Sequence, residues 1–177
     1  MMHKKGIDIA RLKVAMISGK LNPEKVVQLI ENSESDERIN LLKSPLGWYL
    51  EEVANEGDVF TLVKKVCQQS DIQFLTLSAK SFFSICKTIK EQTAVIAQII
   101  QDIQYPELND IQKEAGYGSK HFGTAGLICN LAEAFQLSYS ESEKQPVIAI
   151  TKLRMNAHLA TCKDREDKIK AMFDKAK

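Results

Sequence analysis

The four prolines of this sequence all stand where an α-helix could begin. Pro23, Pro45, Pro106 and Pro146 each precede apolar residues at helical spacing, and no proline interrupts such a run. Proline fits the first turn of a helix, where its missing N–H is not needed, but it disrupts a helix interior. The sequence therefore predicts an all-α fold, with antiparallel helical hairpins that form a compact bundle or a short solenoid.

Two stretches, residues 72–77 and 146–151, are rich enough in β-branched residues to form short strands. Neither has a hairpin turn or an alternating partner segment close by. We therefore predict a helix or an extended connector in both places.

Composition and length favour one globular domain, residues 1–177, ending in helices over 127–177. The chain has 44% hydrophobic residues and a net charge of +1, which fits a folded protein rather than a disordered one. Its basic residues are scattered and are mostly lysine, so nucleic-acid binding is not expected. No apolar run reaches the roughly 18–20 residues that a membrane span needs, and no signal peptide is recognisable.

The four cysteines, Cys67, Cys86, Cys129 and Cys162, are widely spaced and lie in apolar helical patterns. Such thiols usually behave as small core residues, although an even number could also form two disulfides. We expect reduced thiols and a cytoplasmic protein, or one in a host-cell cytosol if the chain is a secreted effector. Histidines and cysteines match no zinc-binding spacing, and neither a metal site nor a cofactor is predicted.

Residues 44–69 predict two helices and the turn between them. Ser44 can cap a helix that begins at Pro45, Gly57 can end that helix, and Asp58 can cap the next one. An offset of 34 residues aligns Ser44 with Ser78 and the aromatic pair Trp48–Tyr49 with the pair Phe82–Phe83. This offset suggests a second hairpin unit over 78–104, with a turn near residues 90–93. A chance similarity between two helical segments is the alternative.

The hairpin at residues 44–69 resembles one ankyrin-type repeat. The opening Ser44-Pro45-Leu46-Gly47 is similar to that family's T-P-L-H, and Gly57–Asp58 to its turn between helices. Gly47 stands where the family has histidine, and the first helix is about one turn longer than the family pattern. The resemblance implies stacked helical pairs and an interaction surface, and it implies no catalytic residue.

A glycine-rich connector, residues 116–126, precedes an apolar helical pattern. Glycines before a helix N-terminus are suited to holding an anion, and the segment at Gly118–Thr124 approaches a phosphate-binding loop. The lysine of that motif is missing, and no strand precedes the segment. The other interpretation is a mobile connector in which glycines supply turns and Thr124 caps the helix.

Aromatic residues beside polar ones suggest two partner-binding surfaces. Trp48 either anchors helix packing or, with Tyr49, faces a partner. No orienting carboxylate or nucleophile is identifiable near His121, so no catalytic residue is predicted. The candidate partner-binding residues are Trp48, Tyr49, Tyr117, Lys120, His121 and Phe122.

The function that these patterns favour is a non-enzymatic protein-interaction module, such as an adaptor, a chaperone-like subunit or a small bacterial effector. Its partner would be another protein. The alternative is an enzyme that binds a small ligand or phosphate through residues 116–124, with Lys120 or His121 as the charged group. A third possibility is oligomerisation through the C-terminal amphipathic helix, which carries Ile169, Met172 and Phe173 on one side.

Overall fold

The computed structural model describes residues 9–18, 22–103, 110–114 and 123–175. Regular structure in these ranges is helical, and none of their residues lies in a β-strand. An isolated antiparallel bridge joins Pro45 and Pro146. The all-α prediction is confirmed.

Helices of very different lengths make up these ranges, and one of them changes its winding. Short 3-10 turns occur at Leu41–Lys43, Phe74–Thr76 and Val147–Ala149, and α3 continues directly into a π-helical segment, Tyr49–Val53. The α-helices are α1 (Ile9–Ile17), α2 (Pro23–Glu31), α3 (Leu46–Trp48), α4 (Val59–Gln69), α5 (Ala79–Gln101), α6 (Asp110–Glu114), α7 (Gly123–Phe135), α8 (Tyr139–Glu143) and α9 (Ile150–Lys175).

The contacts divide the chain into two compact units. The first unit contains residues 1–44 and 48–94, and the second contains residues 45–47 and 95–177. Composition alone does not reveal this division, because both units have the same helical pattern.

Aromatic and aliphatic side chains form the core of the first unit. The rings of Phe60 and Phe82 stack with their centroids 4.9 Å apart, and Phe83 contacts Phe82 edge-on at 5.7 Å. Burying side chains of this size contributes about 1.5–3 kcal/mol each. The fully buried residues around them include Ile39, Leu41, Val63, Val66, Cys67 and Ile85.

The second unit is held together by α7, which packs against both α8 and α9. Leu46 joins this core from a distant part of the sequence, and its backbone N–H donates to the carbonyl oxygen of Gln145 at 2.8 Å. Lys152 lies 3.8 Å from the ring centroid of Phe135, which adds a cation–π contact between α9 and α7. The buried residues include Ile96, Ile128, Leu131, Val147, Ile150 and Leu153.

Most of the predicted helix starts are found near their prolines. Pro23 opens α2 and Asp58 caps α4 through Thr61, as predicted, and the structure adds a cap at Asn22, which precedes α2. Pro45 and Pro146 instead stand just before helical residues, paired in the bridge. Pro106 lies outside the described residues.

Two predicted caps take other positions. The Ser44 hydroxyl donates to the Asn40 carbonyl oxygen at 3.4 Å, at the end of a 3-10 turn. Thr124 lies inside α7, which begins one residue earlier. Residues 72–77 contain a 3-10 turn, and residues 146–151 contain another 3-10 turn and the start of α9. Both agree with the prediction of helix or connector.

The turn predicted near residues 90–93 is wrong, because α5 runs uninterrupted from Ala79 to Gln101. Its polar residues serve a different purpose. The Gln92 side chain accepts from Leu41 N–H at 2.6 Å and donates to Ile39 C=O at 2.9 Å. The second helical hairpin over 78–104 is therefore absent, and a single long helix takes its place.

Gly47 is packed closely, and the fold should not tolerate a large side chain there. A Cβ at Gly47 would lie 3.0 Å from Glu143 Cβ, whereas a Cβ at Gly57 would meet nothing within 4 Å. We expect Gly47→Val to lower the free energy of unfolding by about 1–3 kcal/mol. Gly57→Val, the control, should change it by less than about 0.5 kcal/mol. Urea unfolding measures both free energies, and equal losses of stability in the two variants would contradict the close packing at Gly47.

The cap at Asp58 should make stability depend on pH. Hydrogen bonds from the Thr61 hydroxyl and backbone N–H lower the pKa of Asp58 below its usual 3.8. The charged cap therefore stabilises the fold above that pH, and its contribution is lost as the pH falls through the lower folded-state pKa. Asp58→Asn keeps an acceptor but does not titrate. The stability difference between native and variant protein, measured by thermal unfolding, should therefore shrink below pH 4; a constant difference would argue against a titrating cap.

Candidate functional site

The structure describes only two of the six predicted partner-binding residues. Trp48 is half-buried. Tyr49 is only 3% exposed, and burial raises the pKa of its phenol, so its ring belongs to the core of the first unit. The predicted residues at 117 and 120–122 lie outside the described residues, as does most of the glycine-rich connector.

The last described helix, α9, has apolar residues on two opposite faces. One face packs against α7 and buries Ile150, Leu153 and Ala157. Each helical residue advances by about 100°, which places these three within about 40° of a single line along the helix. A surface helix normally has polar residues opposite its buried face.

The face opposite the buried one is also apolar, and it is exposed. Met155 is 64% exposed, Leu159 63%, Ile169 53% and Phe173 69%. By the same geometry they lie within about 40° of a line diametrically opposite the buried face. We call this surface the exposed stripe. Its members are Met155, Leu159, Cys162, Glu166, Ile169 and Phe173.

The spacing within the exposed stripe alternates between four and three residues. This is the spacing of the a and d positions of a coiled coil, the positions that insert between the side chains of a partner helix. Two members of the series differ from the large apolar ones: Cys162 is small and Glu166 is charged. The exposed stripe therefore has the a/d spacing of a coiled coil along about three heptads.

The second half of α9 contributes little to the core of its unit. Beyond Ala157, its described side chains are exposed, apart from the partly covered Thr161 and Asp164. Roughly 27 Å of helix therefore extends from the last buried residue. Ion pairs of Lys168 with Asp164 and of Lys170 with Glu166 support this part, at about 0.3–0.5 kcal/mol each. Helices in proteins owe most of their stability to packing, which a partner could supply here.

Cationic residues border the exposed stripe on both sides. Lys163 and Lys170 lie about 60–80° to one side of its midline, and Arg165 lies about 80° to the other. Within the stripe, the Glu166 carboxylate is 2.5 Å from the Lys170 ammonium. The surface is thus apolar along its centre, with positive edges and one negative charge.

Two surface pockets offer less as functional sites. A groove of about 270 Å³ between α7 and α9 is lined mainly by small residues, including Ala134, Ala157 and Ala160. A more polar pocket of about 230 Å³ contains Arg38 and Lys43. The Arg38 guanidinium already makes two hydrogen bonds to the Asp36 carboxylate, and this pairing lowers the pKa of Asp36. Arg38 is therefore engaged within the fold.

The four cysteines are free thiols and fall into two classes. Cys67 and Cys86 are buried, while Cys129 and Cys162 are exposed. Cys162 Sγ lies 3.6 Å from His158 Nε2. Among the described residues, no group of three or more potential metal ligands is present.

The two classes of thiol should react at different rates. Burial raises the pKa of Cys67 to about 11 and that of Cys86 to about 12. Both are therefore protonated at pH 8, and the thiolate is the reactive form. Ellman's reagent at pH 8 should modify two thiols of the native protein and all four after denaturation. Rapid modification of three or four thiols in the native protein would contradict the assigned burial.

Sequence reasoning found only the last two members of the exposed stripe, Ile169 and Phe173. It grouped them with Met172, which lies about 100° from the midline of the stripe. The alternation of four and three residues from Met155 onward is visible in the sequence and would have extended it. The sequence does not indicate that this face is exposed, because a second apolar face of α9 supplies the packing.

Comparisons with models of protein families, with curated proteins and with solved structures found no match. In the described part of the chain, no helix combines the length and the apolar character needed to cross a membrane. The structure therefore establishes an all-helical protein with an exposed apolar stripe on its last described helix.

Proposed function

We propose that this protein is a non-enzymatic interaction module that binds another protein through the exposed stripe of α9. The observation that carries the proposal is the second apolar face of that helix. Large apolar residues repeat along it at coiled-coil spacing, opposite the face that already packs against α7. Residues arranged in this way are typical of helix-in-groove and coiled-coil recognition.

The energetics of α9 support the same conclusion. Burying Met155, Leu159, Ile169 and Phe173 against a partner would remove apolar surface that the fold leaves in water. Large apolar residues at the centre of an interface are common binding anchors. Binding would also hold the extended half of the helix, which the core of its unit leaves unsupported.

We propose that the module acts as an adaptor, a chaperone-like subunit or a bacterial effector. An ankyrin-like unit at residues 44–69 is a further part of it, supported by the packing of α4 against the π-helical segment Tyr49–Val53. Four free thiols, two of them buried, fit the reducing interior of a cell. We therefore propose a cytoplasmic protein, or one in a host-cell cytosol.

Site-specific crosslinking tests the proposed surface. A photoreactive amino acid would replace Ile169, which lies in the exposed stripe, or Ala171, which is exposed on nearly the opposite side of α9. In cells that make the protein, we expect a crosslink to another polypeptide from position 169 and none from position 171. The two positions are only two residues apart in the sequence, so they lie at nearly the same level along α9 and differ mainly in the side of the helix that they face.

The matching loss-of-function variant is Leu159→Glu with Ile169→Glu. It should abolish capture of the crosslinked partner and change the free energy of unfolding by less than about 0.5 kcal/mol, since both residues are exposed. Equal crosslinking from positions 169 and 171, or none from 169, would refute this surface.

A further inference from the structure

The charges along the edges of the exposed stripe all have the same sign, unlike the charges on the rest of α9. The edge positions that would flank a bound helix hold Lys163 and Lys170 on one side and Arg165 on the other. Apart from Glu166, which lies within the stripe, the acidic residues of this part of the helix lie farther away. Asp174, Asp167 and Asp164 are about 100°, 120° and 180° from the midline of the stripe.

We propose that the partner supplies an amphipathic helix with acidic edges. Its apolar residues, spaced four and three apart, would pack on Met155, Leu159, Ile169 and Phe173, and its Glu or Asp side chains would meet the cationic edges. This inference rests on the proposed function and adds the chemistry of the partner to it. In helical pairs, the flanking charges determine which partner is selected.

A second copy of this chain fits the surface poorly. In a parallel pair, Arg165 would face Lys170 of the other copy. In an antiparallel pair with the two stripes fully overlapped, Lys163 would face Lys163 of the other copy along one edge, and Arg165 would face Arg165 along the other. Like charges repel in both orientations. The apolar stripe favours association, and its edges select against self-association.

An anionic membrane also presents negative charge, but Glu166 opposes that occupant. Its side chain is 61% exposed at the middle of the stripe, and a membrane-bound α9 would carry it toward the acyl chains. Burying a carboxylate in an apolar medium is costly. A protein helix can instead place a polar or cationic side chain opposite it. A single polar residue at such a position fixes the register of the two helices.

The direct test uses the full chain and two synthetic helices of about three heptads. Both have Leu and Ile at the a and d positions and Lys opposite Glu166. One has Glu at its edge positions and the other has Lys. Fluorescence anisotropy at low salt should show the acidic-edged peptide binding at least about tenfold more tightly, a difference that narrows as salt is added.

Charge reversal provides the specificity control. Lys163→Glu, Arg165→Glu and Lys170→Glu together should invert the preference, so that the basic-edged peptide binds more tightly. The matched control changes three exposed lysines in other helices, Lys25→Glu, Lys64→Glu and Lys80→Glu. It makes the same change in net charge and should keep the original preference. Circular dichroism verifies that both variants retain their helix content.

Several outcomes would overturn the proposed partner chemistry. One is equal binding of the two peptides. Another is dimerisation of the full chain through the stripe, measured by sedimentation velocity. The third is binding to vesicles of phosphatidylserine and phosphatidylcholine, if Leu159→Glu abolishes that binding. If any of these occurs while position 169 still crosslinks to another protein, the proposed function stands and only the acidic-edged partner is refuted. If position 169 fails to crosslink but the acidic-edged peptide binds selectively, the edge chemistry stands without a cellular partner.

Discussion

Hydrogen bonds between the side chains of α5 and the backbone of the segment before α3 hold that segment against the core of the first unit. Lys87 Nζ donates to Ser33 C=O at 2.6 Å, Thr88 Oγ1 accepts from Asp36 N–H at 2.6 Å, and Gln92 joins Ile39 and Leu41. Residues 33–41 form no regular helix until the 3-10 turn, so these bonds satisfy their polar groups and bring Ile39 and Leu41 into the core.

The same interactions explain which helices the sequence could predict. Caps such as Asp58 act on backbone groups two or three residues away, and local reasoning finds them. The polar run at residues 90–93 resembles a turn for the same local reason. Gln92 is polar because it binds residues about fifty positions earlier in the chain, and no local pattern reveals that pairing. Division of the chain into two units is likewise a property of distant contacts.

The candidate site shows a similar limit. Spacing in the sequence specifies that Met155, Leu159, Ile169 and Phe173 share one side of a helix. Whether that side is core or surface depends on which face meets α7, and the competing face of Ile150, Leu153 and Ala157 is equally apolar. Trp48 and Tyr49 are the opposite case, in which residues predicted to face a partner are buried or half-buried. The same aromatic residue types occur in protein cores and at binding surfaces, so the sequence does not distinguish the two locations.

The pairing of Leu46 with Gln145 has a consequence for how the chain is made. The hydrogen bond between them joins residues separated by roughly a hundred positions, and contacts this distant in sequence slow folding because a long loop must close first. On the ribosome, residues 45–47 emerge early but wait for α8 to be synthesised. Their unit thus completes its packing only after α8 has emerged, whereas residues 48–94 have their own core available sooner.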